Sequence, residues 1–131
     1  MPSPLTQTLE SPSNKIPLQN VLIGYCRTST SHSQDLMRQV VQLKEVGCTK
    51  IFTDQISSLT DYKDREGLSK CLEELEEGNV LVISELSRLG RSLVEMIVQV
   101  NNLLERNIGV KTLDGTLDTT SMPPEIVKLV V

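Results

Sequence analysis

Residues 21–27, VLIGYCR, form an apolar run that stops at an arginine, with Ser29 two positions further on. The run is short, rich in strand formers and mostly uninterrupted, which is how a strand buried on both faces reads. The segments downstream of it decide the architecture. SQDLMRQVVQLKEVGC (33–48) carries Leu36, Val40 and Leu43 at helical spacing, with Gly47 where a helix would stop. KIFTD (50–54) is a second short strand, and QISSLTDYK (55–63) a polar loop with little periodicity. DREGLSKCLEELEEG (64–78) places Leu68, Cys71, Leu72 and Leu75 on one helical face and ends at Gly78. NVLVISEL (79–86) is a third strand. In SLVEMIVQVNNLLER (92–106), Leu93, Ile97, Val100 and Leu104 make one stripe, with Ser92 and Glu95 spaced as a capping box. IGVKTLDG (108–115) is a fourth strand, and Pro123 and Pro124 suit the first turn of a last helix.

Strand and helix alternating in this way predict an α/β fold, with crossovers and a mostly parallel sheet covered on both faces. Functional groups in such sheets gather at the carboxyl ends of the strands. That rule selects four places: residues 27–30, 54–58, 84–91, and Asp114 onward.

Composition narrows the chemistry. Aromatic residues are 2% of the 131, so the core is built from Leu, Val and Ile. A net charge of −4 is an awkward balance for a surface that tracks nucleic acid, and any DNA role needs a local basic patch or residues beyond this chain. Cys26, Cys48 and Cys71 are odd in number and widely spaced, which reads as free thiols and not as a disulfide or metal framework. With His32 the only histidine, a histidine-ligated zinc site has almost nothing to work with. No apolar run approaches the length of a membrane span, and residues 1–20 read as a flexible leader without a signal peptide's pattern. The expectation is a cytoplasmic protein with no metal and no cofactor.

The strand ends carry a repeated chemical type. An extended first strand would project Arg27 and Ser29 to one face. A helical turn at SELSRLGRS (84–92) would place Arg88 and Arg91 on one face. Arg65 falls near the start of the second helix. Arginine's planar fork of donors matches phosphate oxygens in pairs and keeps its charge at any working pH.

GYCRTST (24–30), IFTDQISS (51–58), DREGL (64–68) and ELSRLGRS (85–92), in that order, resemble successive motifs of the catalytic domain of serine site-specific recombinases, the resolvase and DNA invertase family. TLDGTLDTT (112–120) resembles the segment leading into that family's long dimerisation helix. The resemblance implies a resolvase-like three-layer α/β fold with a central, mostly parallel sheet of four to five strands flanked by helices. It implies a flexible leader over 1–20, a catalytic domain over 21–118, and the start of a truncated dimerisation helix over 119–131, with the C-terminal DNA-binding domain absent. It makes Ser29 the nucleophile, attacking a DNA phosphodiester to give a 5′-phosphoseryl intermediate and a free 3′ hydroxyl. Strand exchange and religation then proceed without metal or nucleotide. Carried over residue by residue, Arg27, Arg65, Arg88 and Arg91 hold the phosphate, Asp54 orients arginines, and Ser57 supports the site by hydrogen bonding. The implied partners are double-stranded DNA and further copies of the chain, a homodimer assembling to a tetramer.

Four positions depart from the family pattern, of which Thr28 and Cys26, standing where small or apolar residues are usual, are tolerable changes. Ser87 stands where D-R-L-G-R has aspartate, which predicts reduced or differently tuned activity, and Ser58 replaces a glycine common after D-x-x-S. Two other readings compete: a non-catalytic, recombinase-derived dimerisation module, and a small phosphate-ester hydrolase. The second lacks a Walker loop, a G-x-G-x-x-G turn and a cysteine phosphate loop.

Overall fold

A computed structural model of the chain describes residues 21–29, 33–56 and 66–121. In chain order these form β1 (Leu22–Thr28), α1 (Ser33–Glu45), β2 (Lys50–Gln55), α2 (Glu66–Glu74), β3 (Val80–Ile83), a 3-10 turn (Leu86–Arg88), α3 (Leu93–Glu105), β4 (Gly109–Thr112) and a second 3-10 turn (Thr119–Ser121). The strands make one four-stranded sheet in the order β2-β1-β3-β4, and every neighbouring pair is parallel.

The alternation of side chains along β1 divides the core in two. Ile23 and Tyr25, with Leu81, Ile83 and Val110, pack against Leu68, Cys71 and Leu75 of the α2 region and against Val100 and Leu103 of α3. Cys26, Val80 and Val82 pack on the other side with Leu43, flanked by Leu36, Val40, Cys48 and Ile51. One helix therefore covers one face and two cover the other, giving the three layers expected. The connection that steps from β1 to β2 runs over the α1 face. The two that step the opposite way, to β3 and to β4, run over the α2–α3 face, so all three crossovers share one hand, as the chirality of twisted strands requires.

Local sequence accounts for the stops. Gly47 and Gly78 adopt φ of 106° and 93°, a left-handed conformation open to glycine without strain. Gly47 follows the end of α1 as the sequence predicts, whereas α2 stops at Glu74, short of the expected Gly78, which lies in the turn before β3. β3 and β4 are both shorter than the strand segments read from the sequence. β3 ends at Ile83 because Ser84 and Glu85 turn into the 3-10 helix. β4 ends at Thr112, whose N–H and hydroxyl both bond the Leu117 carbonyl oxygen as the chain reverses at Gly115. The returning segment covers the edge of β4: Lys111 bridges Asp118 antiparallel, and the Val110 N–H donates to Thr119 Oγ1 at 2.9 Å.

The stripe predicted for α3 needs correction. Leu93 and Ile97 are 67% and 50% exposed, and the buried residues of the helix are Val100 and Leu103. Helical spacing alone does not say which of two apolar faces meets the sheet. Ser92 fixes the start of the helix, accepting from the Glu95 N–H at 3.2 Å, while the Glu95 carboxylate reaches past Ser92 to the Arg91 N–H at 2.6 Å. That leaves Leu93, Val94, Ile97 and Val98 as an exposed apolar face. The helix predicted from Pro123 lies outside the described residues, as do Ser57, Ser58, Arg65 and His32.

Candidate active site

In a sheet ordered β2-β1-β3-β4, the chain leaves β1 in one direction and β3 in the other. The crevice between their carboxyl ends is the topological switch point, where open α/β sheets bind ligands. Ser29 and Arg27 end β1 there, and residues 84–91 leave β3 there. The register opens the crevice further. β3 pairs with β1 only from Leu22 to Gly24, so the last four residues of β1 run past it, while β2 accompanies them to Gln55. The 3-10 turn fills the space, and Arg27 Nη2 donates to the Ser87 carbonyl oxygen at 3.1 Å, tying the two strand ends together.

Thr28 points to the α1 side, where it is buried and its hydroxyl donates to Asp35 at 3.4 Å. Gln39, also buried, donates to the Arg27 carbonyl oxygen at 3.3 Å and to Asp35 at 3.0 Å. Helix α1 thus holds the backbone just before Ser29 from behind. Asp35 itself is kept below the usual carboxylate range, first by its hydrogen bond with Arg38. Ser29 is half-buried, at the crevice and not in the core.

Asp54, opposite Arg27 in the register, is 7% exposed. Its carboxylate accepts from the Tyr25 hydroxyl at 2.7 Å and from the Gly67 and Leu68 N–H groups at 2.8 and 2.9 Å. Those N–H groups belong to the first turn of α2, whose unpaired donors and dipole favour an anion. A Cβ on Gly67 would lie 2.2 Å from the Thr53 carbonyl oxygen, so the glycine of D-R-E-G-L is needed for this close approach. Asp54 therefore fastens the start of α2, and with it the residue after Arg65, to the end of β2.

The R-L-G-R segment divides its labour. Leu89 is fully buried and anchors it. A Cβ on Gly90 would come within 2.6 Å of Glu95 Cβ, so the chain passes close over the first turn of α3. Arg88 Nε donates to Ser84 Oγ at 3.1 Å, and Arg88 Nη2 lies 3.9 Å from the Glu85 carboxylate. The helical turn expected to put Arg88 and Arg91 on one face does not extend that far: the 3-10 turn ends at Arg88, and Ser92 is extended. Arg91 sits exposed in the approach to α3.

Tyr25, Gln39 and Glu85 join the site without having stood out in the sequence. Tyr25 had a visible signal, since it shares Arg27's strand face. Gln39 had none, being one polar residue among several on α1. All three cysteines are free, and burial pushes the Cys26 and Cys71 thiols up to about 12 and Cys48 up to about 11, so none is a thiolate near neutral pH. Among the described residues no three His, Cys, Asp or Glu side chains gather as a metal site, and no helix is long and apolar enough to cross a membrane.

Ser29, Arg27 and Arg88 stand at the switch point of a parallel, three-layer α/β domain. Residues 22–128 match the family described as the resolvase N-terminal domain. The chain is 40% identical over 102 residues to the serine recombinase gin of Escherichia phage Mu, covering 77% of this chain and 51% of that protein. It is 34% identical over 94 residues to the transposon Tn1546 resolvase of Enterococcus faecium, covering 72% and 48%. In fold it resembles the C-terminal catalytic domain of ISC1926 TnpA, an IS607-like serine recombinase, with a TM-score of 0.60 at 19% identity over 83% of this chain and 75% of that one. The chain belongs to the resolvase family of serine recombinases. It spans about half the length of the curated relatives it matches.

Proposed function

We propose that this chain is the catalytic part of a serine site-specific DNA recombinase, with Ser29 as nucleophile. The Ser29 hydroxyl oxygen attacks a backbone phosphorus and the P–O3′ bond breaks. The protein is left joined to the 5′ phosphate, and the departing 3′ oxygen takes up a proton. The free 3′ hydroxyl of a recombining strand then attacks the phosphorus of the phosphoserine, the P–Oγ bond breaks, the serine oxygen takes up the proton and the DNA backbone is restored. Bond energy is kept in the ester, so resealing needs no nucleotide.

Charge explains why arginines suit this work. Attack builds negative charge on the nonbridging oxygens, and donors fixed in advance stabilise it where it develops. A hydrogen bond to a charged group contributes roughly 1.5–3 kcal/mol, and about 1.4 kcal/mol is a tenfold change in rate. On this reading Arg27, Arg88, Arg91 and Arg65 bind the phosphate, Asp54 secures the end of the sheet that carries them, and Ser57 hydrogen-bonds at the loop. The observation that carries the reading is the tie between Arg27 and the Ser87 carbonyl oxygen, which draws the nucleophile's strand and the R-L-G-R segment to one crevice.

We take residues 21–118 as the catalytic domain and residues 119–131 as the start of a helix through which subunits pair. Double-stranded DNA is the substrate, a homodimer assembling to a tetramer the working form, and the cytoplasm its place of action. The exposed face of Leu93, Val94, Ile97 and Val98 supports protein–protein assembly, since contiguous apolar surface of this kind favours a partner. A pool of nicked duplexes of randomised sequence tests the reading. Incubation at low salt should yield denaturation-resistant protein–DNA adducts, absent from Ser29→Ala. Adducts of equal yield from that variant would refute it.

A further inference from the structure

Arg27 and Arg88 come from different elements yet lean on one stretch, residues 84–87. The Ser87 carbonyl oxygen accepts from Arg27. The Ser84 hydroxyl accepts from Arg88 Nε at 3.1 Å. The two oxygens of Glu85 are also both engaged: one accepts from the Ser87 hydroxyl, and the other faces Arg88 Nη2 at 3.9 Å. We propose that Glu85 is a positioning residue for Arg88, itself held by the Ser87 hydroxyl, so that residues 84–87 form the frame that aims the guanidinium groups at the phosphate. That the target is a phosphate rests on the recombinase reading; the frame itself does not.

The geometry fits orientation better than stability. The Arg88 side chain is 19% exposed and that of Glu85 is 49% exposed, so the carboxylate lies on the solvent side of a mostly covered cation. An ion pair this open adds little to folding. A guanidinium held at Nε by Ser84 and faced at Nη2 by Glu85 nevertheless has its plane fixed from two edges, and a fixed plane is what preorganised stabilisation of a transition state requires. Asp35 is also in electrostatic reach of Arg88, but its oxygens are engaged by Arg38, Gln39 and Thr28. Serine at position 87 thus has two tasks: its carbonyl oxygen serves Arg27, and its hydroxyl fixes the carboxylate that serves Arg88.

Rotation of the Arg88 guanidinium about its Cζ–Nε bond, tracked by NMR in the 131-residue chain, tests the proposal without DNA. Arg106, bonded to the carbonyl oxygens of Leu72 and Leu75, is the internal reference. Glu85→Gln and Ser87→Ala should each speed the rotation of Arg88 by about fivefold and leave Arg106 unchanged. Unchanged Arg88 rotation in Glu85→Gln, or equal acceleration of Arg106, overturns the proposal. In the nicked-duplex assay the same variant should slow adduct formation with no change in the DNA concentration giving half the maximal rate. A changed half-maximal concentration at an unchanged maximal rate would count against positioning. Failure of the native chain to form any adduct would end the recombinase reading, and the NMR comparison would still decide the role of Glu85.

Discussion

Two acidic residues at the ends of the strands flanking β1 do opposite kinds of work. Asp54, at the end of β2, is buried and takes three hydrogen bonds, one from Tyr25 and two from the backbone of α2. Glu85, after β3, is half exposed and meets Ser87 and Arg88 of its own turn. A buried carboxylate is tolerated only with its donors in place, and those donors are costly to strand once it is gone. An open carboxylate can be removed cheaply, so its effect is on direction and not on folding. The buried carboxylate fastens α2 to the sheet, and the open one orients a side chain.

The contrast breaks first at Asp54. Asp54→Ala leaves a buried hydroxyl and two helix N–H groups without their acceptor and should cost about 4 kcal/mol, read from the urea midpoint. Gly67→Ala drives a methyl into the backbone of Thr53 and should cost about 3 kcal/mol by the same measurement. Tyr25→Phe removes one donor and should cost about 1 kcal/mol. A neutral Asp54→Ala would erase the distinction between the two strand ends.

The buried thiols sharpen it under alkali. Cys26 and Cys71 ionise near 9 when exposed and at about 12 in the fold. Above pH 9 the unfolded chain loses these protons and the folded chain keeps them. Their contribution to stability is therefore whole below pH 9 and is lost as the pH rises through about 12. The urea midpoint should fall over that window, and a thiol reagent at neutral pH should label the partly exposed Cys48 before the other two. The smallest effect belongs to Glu85→Gln, which should move stability by less than about 0.5 kcal/mol even as it loosens Arg88.

Much of the fold was legible in the residues, because each segment carried a period and a stop. The run at 21–27, the stripe Leu68–Cys71–Leu75 and the glycines at 47 and 78 fix strand, helix and turn by local chemistry alone. Arg27, Ser29 and Arg88 fall at the carboxyl end of the sheet, as the order of strands and helices implies. The working face of α3 was not legible, since Leu93 and Ile97 share an apolar helix with Val100 and Leu103 and only the sheet's position separates them. Nor was the Glu85–Ser87–Arg88 frame, which exists because β3 stops at Ile83 and the chain folds into a tight turn. The first depends on burial between elements and the second on where a strand stops, and neither follows from helical spacing alone.

Peptide mapping of trapped adducts tests the central claim most directly. After nuclease digestion, the peptide containing Ser29 should carry the mass of a 5′-linked deoxynucleotide phosphate, and the other fragment of the cleaved strand should end in a free 3′ hydroxyl. The adduct should fall by orders of magnitude when Arg27 or Arg88 is replaced by alanine. A nucleotide found on any other side chain, or a Ser29 adduct indifferent to both arginines, would contradict the account.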